Sequence, residues 1–376
     1  MRLRLRTPLH ATLLAVVFAA FLVGAGAASA SDVVGHVYAN DNTSGTNTIA
    51  GYARHADGSL TPLPGSPFSA GGAGTGAPIG SQGALQQSSD GRYLVAVDAG
   101  SNQVSVLRIK RDGGLELVDV VSSNGAQPVS VAIHGHLVYV ANAGAAATNY
   151  TAFRLGRRGH LHPIADSTVG LPDNSSPGDL LFNSTGTTLV GARVGTSLID
   201  SFIVGGDGRL TPAPGSPFAA QAAGPFGSEF SPTNPADLYV SNAHGGKNNG
   251  SVSAYRVSDN GTLNPIGSSP FADNQTAPCW VEISHDGRFL FTVNTASGTI
   301  SRYAINGDGS LRLIGSTPLS HFGKPFDARL SPDGSTLYVV DASGQINGFA
   351  VHNSDLSELP SSPTSAPGAP FGLVIN

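Results

Sequence analysis

The sequence predicts an all-β protein, a seven-bladed β-propeller with four antiparallel strands per blade. Three observations carry this. An apolar strand ending in a polar residue occurs seven times at a spacing of about 50 residues, the length of a propeller blade. Dipeptides that tolerate positive φ recur between the copies and close hairpins. Charged residues make up only 12% of a chain rich in Gly and Pro, as many short strands joined by tight turns require.

The clearest unit runs from Lys324 to Leu356. Phe326 to Leu330 is a strand, Ser331-Pro332-Asp333-Gly334 a turn, Leu337 to Asp341 a second strand and Ile346 to Phe349 a third. The second-strand signature is repeated at Val37-Tyr38-Ala39-Asn40, Val95-Ala96-Val97-Asp98, Tyr139-Val140-Ala141-Asn142, Val190-Gly191-Ala192-Arg193, Tyr239-Val240-Ser241-Asn242, Phe291-Thr292-Val293-Asn294 and Tyr338-Val339-Val340-Asp341. Third strands keep the count at Ile49, Val104, Tyr150, Leu198, Val252, Ile300 and Ile346. Turns at Asp57-Gly58, Asp112-Gly113, Asp207-Gly208, Asn260-Gly261 and Asp308-Gly309 lead into an outer strand. That strand carries Gly65-Ser66-Pro67-Phe68, Gly215-Ser216-Pro217-Phe218 and Ser268-Ser269-Pro270-Phe271, and proline belongs on an edge, where its missing donor is not needed.

First strands start near Gly83, Val129, Gly178, Phe226, Cys279, Phe326 and Phe371, mostly just after a proline. The last has no second strand after it, and Val34 to Ala39 has no first strand before it. Pairing these two in one blade closes the ring.

Residues 1–30 read as a signal peptide: Arg2, Arg4 and Arg6, an apolar run from Leu9 to Ala25, then Ala28-Ser29-Ala30 as a cleavage pattern. The alternative is an uncleaved anchor. The expectation is a secreted or extracytoplasmic protein, one propeller over residues 31–376, off the membrane once cleaved, and a monomer. Removing the leader leaves 17 Lys and Arg against 25 Asp and Glu, a net charge near −8, which argues against nucleic acid as a partner. The single Cys279 excludes an internal disulfide.

First-strand residues alternate faces. Val131 and Ile133, Leu180 and Phe182, Val281 and Ile283, and Ala328 and Leu330 face neighbouring blades. The opposite set faces the central channel: Asp179, Trp280 and Asp327 in an upper layer, Gln86, Glu229, Glu282 and Arg329 in a lower one. Such carboxylates can share a proton or hold Ca²⁺, or simply line a solvated channel and pair with Arg329. Six of the seven second strands end in Asn or Asp, which cap the following turn. Arg193 breaks that rule and is placed to bind an anion bidentately, or to pair with Asp179. His134-Gly135-His136 and His160-Leu161-His162 have no third ligand in the pattern, so no metal site is expected there. Neither a Gly-x-Ser-x-Gly elbow nor a His-Glu-x-x-His helix motif occurs.

The Ser-x-Asp-Gly-x-x-Leu spacing within Ser88 to Val95, Ser284 to Phe291 and Ser331 to Val339, with Asp98-Ala99-Gly100-Ser101-Asn102 after one strand, resembles the lactonase family of seven-bladed propellers over nearly all of the chain past the leader. The resemblance implies chemistry like that of the 6-phosphogluconolactonases and carboxymuconate cyclases, without a metal-bound nucleophile. It also implies catalytic His or Arg-His just after the first-strand proline and Glu at a second-strand end. Here the first two residues past that position are never His or Arg, and no second strand ends in Glu. The reading that follows is a propeller binding a small polar or anionic ligand, or a cell-surface partner, at the top-face channel mouth through Arg193, Asp179, Asp327, Trp280, Glu229, Glu282 and Arg329. Lactone hydrolysis or a muconate-type cycloisomerisation is the alternative.

Overall fold

The computed structural model describes residues 32–321 and 323–376; the signal-peptide and cleavage assignments therefore lie outside the described residues. Seven antiparallel sheets account for the described strands, and no helix interrupts them. Blade 1 comprises Leu85–Gln87, Tyr93–Asp98, Gln103–Ile109 and Leu115–Ser122 from inside to outside. The inner three strands of blade 2 are Pro128–His134, Leu137–Asn142 and Asn149–Leu155, and those of blade 3 are Pro177–Phe182, Thr188–Arg193 and Leu198–Val204. Blade 4 has Pro225–Phe230, Asp237–Asn242 and Ser251–Val257; blade 5 has Pro278–Ile283, Phe289–Asn294, Thr299–Ile305 and the outer Leu311–Pro318. In blade 6 the order is Pro325–Leu330, Thr336–Asp341, Gln345–His352 and Asp355–Glu358.

Blade 7 is assembled from distant parts of the chain, as the unmatched strands require. Leu373–Ile375 pairs antiparallel with Val33–Asn40, which pairs with Thr48–His55. His36 and Asn376 extend the seam with reciprocal backbone hydrogen bonds of 3.1 and 3.0 Å.

The outer strands differ from expectation. Blades 1 and 5 keep one continuous outer strand, while the other five have two short pieces that both pair with the third strand. In four of these the break falls at a cis proline, Pro67, Pro217, Pro270 or Pro363, so the proline interrupts the outer strand rather than sitting within it.

The second strands are buried on both faces, so consecutive residues join the same core. Tyr139, Val140, Phe153, Leu180 and Leu189 are buried between adjacent blades in one cluster; Phe291, Val293, Leu337, Val339 and Phe349 form another. Tyrosines stitch five of the seven blade junctions: the hydroxyls of Tyr38, Tyr93, Tyr139, Tyr239 and Tyr338 donate to the carbonyls of Gly113, Arg157, Gly208, Gly309 and Gly58 at 2.7 to 3.1 Å. With no disulfide available to the buried Cys279, burial and these stitches hold the ring.

Candidate functional site

The site is built by the start of the inner strands. In blades 2 to 6 the register shifts just past the first-strand proline, so that Pro177 pairs with Arg193 while Asp179 already pairs with Ala192, and likewise for Pro278 and Trp280, and for Pro325 and Asp327. A bulge re-aims the side chain that follows it. Asp179, Trp280 and Asp327 are thereby turned toward the inner strand of the next blade, and all three are buried.

Inner strands are sheet edges, and an edge amide away from water needs an acceptor. The channel residues supply several. The Leu180 amide donates to Ser130 Oγ at 3.1 Å, the Ser228 amide to Asp179 Oδ2 at 2.9 Å, and the Leu330 amide to Glu282 Oε1 at 2.8 Å. Each bond runs from one blade to the preceding one, so Asp179 and Glu282 fasten blades together. Burial raises Asp179 to about 7, against the lowering pull of the Ser228 hydroxyl and amide and of Arg329.

Arg329 is the hub of the lower layer. Its Nη1 donates to Glu282 Oε2 at 2.8 Å, and its guanidinium carbon lies 5.1 Å from the Trp280 ring centroid, a cation–π contact. Its side chain remains 21% exposed, to the channel. Around it four polar atoms have no hydrogen-bond partner: Trp280 Nε1, Glu229 Oε2 and both oxygens of Asp327. Burial, and then the nearby charge of Glu282, drives the Glu229 carboxyl well above its ordinary range; the same burial does so for Asp327 in spite of Arg329. The sequence expectation of one acidic ring is thus refined into two kinds of carboxylate. Asp179 and Glu282 hold backbone; Glu229 and Asp327 retain unpartnered oxygens.

Arg193 lies elsewhere in the network. Its Nε donates to Asp200 Oδ2 at 2.6 Å and its Nη2 to Asp200 Oδ1 at 2.5 Å, and the Tyr150 hydroxyl also donates to Asp200 at 3.0 Å. Both charges are buried. The partner is Asp200 on the adjacent strand, not Asp179 as the sequence suggested, because Asp200 faces the guanidinium across the hairpin while Asp179 is drawn to Ser228. Sequence reasoning passed over Asp200, the lone charged residue in a largely apolar third strand, which was the available signal.

The upper layer is the more deeply buried of the two. Asp179, Trp280 and Asp327 are all at most 2% exposed, whereas Gln86, Glu229 and Arg329 in the lower layer are half-buried. A cavity of about 170 Å³ lined by Gln86, Ala132, Leu181 and Ser184 opens beside that lower layer. His134 packs 6.0 Å from the Phe182 ring, and His160 lies 3.6 Å from Asp119. Among the described residues no three His, Cys, Asp or Glu side chains gather as a metal site. Cys279 is buried with its thiol donating to the Ala277 carbonyl, and burial lifts it to about 11, so it is held as an unreactive thiol.

A ring of seven four-stranded blades around a polar channel defines a β-propeller. The family model for lactonase, 7-bladed beta-propeller, matches residues 44–175 and 229–370, most of the chain, and the protein belongs to that family. Among solved structures it is similar to a protein of Bacteroides fragilis provisionally assigned as a 6-phosphogluconolactonase, with 21% identity, a TM-score of 0.76, and coverage of 93% of this chain and 99% of that one. It is also similar to the periplasmic gluconolactonase of Pseudomonas aeruginosa, with 18% identity, a TM-score of 0.74, and coverage of 91% and 98%. At these identities the likeness to the solved structures is one of fold. A search of the curated proteins returns no match.

Proposed function

We propose that the protein is a lactone hydrolase acting on a small, uncharged, hydroxylated lactone in the channel. The observation that carries this reading is the set of unpartnered polar atoms around Arg329, namely Trp280 Nε1, Glu229 Oε2 and the Asp327 carboxyl. Opening a lactone needs a donor at the carbonyl oxygen and a base for water. Arg329 supplies the donor. Glu229, once ionised, takes a proton from water as the new C–O bond forms and returns it to the ring oxygen as the acyl C–O bond breaks, which yields the hydroxy acid. Its raised pKa strengthens it as a base and ties activity to its loss of a proton, so turnover falls as pH drops. No cofactor is required.

The substrate class follows from charge. Arg329 is the single cation among Asp179, Glu229, Glu282 and Asp327 and is already paired with Glu282, so a phosphate dianion finds no free counter-charge there and is repelled by whichever further carboxylate ionises. A neutral lactone, as the name of the Pseudomonas relative suggests for that protein, suits the channel better than a 6-phospho lactone. Arg193 adds no net positive charge while it holds Asp200.

The test is a panel of neutral, phosphorylated and simple lactones with the Arg329→Met and Glu229→Gln variants. Each should lose roughly a hundredfold in turnover of a neutral lactone, the usual scale for such a donor or base. Turnover indifferent to both residues overturns the assignment. Binding without turnover is the second reading, favoured by the lack of His or Arg at the two positions after the first-strand proline. In that case no lactone is hydrolysed above background while Arg329→Met still weakens a hydroxylated ligand. Export rests on residues 1–30 and is read by N-terminal sequencing of secreted protein, which should begin at or near Ser31.

A further inference from the structure

Six of the seven inner strands begin at or just after a proline, Pro128, Pro177, Pro225, Pro278, Pro325 or Pro370; blade 1 has Gln82 at the corresponding position. A proline has neither an amide hydrogen nor a polar side chain, and Gln82 uses both. Its backbone amide donates to the Gly178 carbonyl of blade 3 at 2.7 Å, and its Nε2 donates to the Ser228 carbonyl of blade 4 at 2.9 Å. Its Oε1 lies 3.5 Å from the Val281 amide of blade 5. Next to it, the Gly83 carbonyl accepts from the Val131 amide of blade 2 at 2.9 Å. One residue of blade 1 thus reaches the far side of the ring.

The surroundings are shaped to admit it. A Cβ on Gly227 would lie 2.0 Å from Gln82 Oε1, so the glycine leaves room for the amide. Ser81 and Gln82 are buried, as is Ile79 before them, and the inner strand of blade 1 is correspondingly short, beginning only at Leu85. Directly beyond Val281 is Trp280, the only tryptophan of the chain, in the buried upper layer of the channel.

We infer that Gln82 is a cross-channel latch that closes the channel at the top face and limits the size of what the upper layer can hold, leaving the lower-layer end as the way in. The latch goes beyond the hydrolase reading and rests on it only where the occupant is taken to be a lactone: the closure is a property of the fold whether or not a lactone is turned over.

Acrylamide quenching of Trp280 emission tests the latch on the intact protein without any ligand. Gln82→Ala should raise the quenching constant several-fold while the circular dichroism and melting temperature remain those of a folded propeller. Gln87→Ala, whose side-chain amide bonds only the Gly91 carbonyl within its own hairpin, should leave quenching unchanged. If Gln82→Ala does not fold, Gln82→Glu keeps the length but removes the donor to Ser228 and should give a smaller rise. A folded Gln82 variant quenched no more than wild type, or an equal rise in Gln87→Ala, overturns the latch. If the hydrolase reading holds, Gln82→Ala should also shift kcat/KM toward lactones with longer substituents; failure of that shift with quenching raised counts against the hydrolase, not the latch.

Discussion

Two sets of carboxylates, one in the turns and one inside the ring, carry the same chemical group into opposite conditions. In the hairpins between first and second strands, Asp90, Asp286 and Asp333 each accept the hydroxyl of the serine two residues earlier and an amide two residues later. Slight burial raises these groups, but the donors outweigh it, and Asp333 is brought down to about 2. Inside, burial dominates: Asp41 and Asp179 are pushed up to about 7 and Asp98 to about 6 although each keeps hydrogen-bond partners. The difference teaches that in this fold the repeat motif stabilises charge at the rim, while the closed ring suppresses it within.

The largest expected effect removes the closure itself. Deleting residues 370–376 takes away Phe371, Leu373 and Val374, all buried, and leaves Val33–Asn40 without its inner neighbour. Loss of such a core strand should cost about 5 kcal/mol or more in a denaturant melt. It should also let water reach Asp327, whose carboxyl burial drives well above its ordinary range. A truncated protein melting within a degree of the full chain would break the link between closure and suppressed charge.

Next comes the pH profile of the melting temperature. The rim aspartates have depressed pKa values, so their contribution is present above the unfolded value of about 4 and is lost as pH falls below it, for Asp333 toward about 2. The interior aspartates have raised values, so theirs is full below about 4 and lost as pH rises through 6 to 7. Stability should therefore peak on the acid side, at about pH 4 to 5. Asp179→Asn keeps an oxygen for the Ser228 amide and should flatten the decline between pH 5 and 8. An unchanged slope would assign the decline to other groups. The smallest effect is Asp286→Asn at the rim, a loss of roughly 0.5 to 1 kcal/mol at pH 7, the net worth of a hydrogen bond, that shrinks as pH falls below the unfolded value of about 4.

Most of the architecture was legible because each blade repeats its strand endings and turns, and repetition averages out local ambiguity. Val34 to Ala39 and Phe371 to Ile375 could be matched as one blade because each lacked the other. What was not legible depends on contacts between blades that no repeat encodes. Arg193 and Asp200 lie seven residues apart, and only the hairpin register, which puts Arg193 opposite Leu198, brings them together as a diagonal pair. The upper channel looked solvated from the sequence because its residues are polar; it is buried because Gln82 crosses it, and the missing proline was the one sign. The division of the carboxylates into backbone acceptors and unpartnered groups depends on what the next blade presents, since Asp179 and Asp327 follow equivalent bulges and differ in their partners.

The tyrosine stitches run in one direction, the second strand of one blade holding the outer turn of the blade after it at five of the seven junctions, and they pass through the seam unchanged: Tyr338 of blade 6 reaches Gly58, and Tyr38 of blade 7 reaches Gly113 of blade 1. Covalently the polypeptide is a ribbon; by its hydrogen bonds it is a hoop. For a chain made from one end, that hoop imposes an order in time. Strand Val33–Asn40 emerges early yet waits for Leu373–Ile375, so the first blade to be started is the last to be finished, and the channel acquires its buried interior only at that final step.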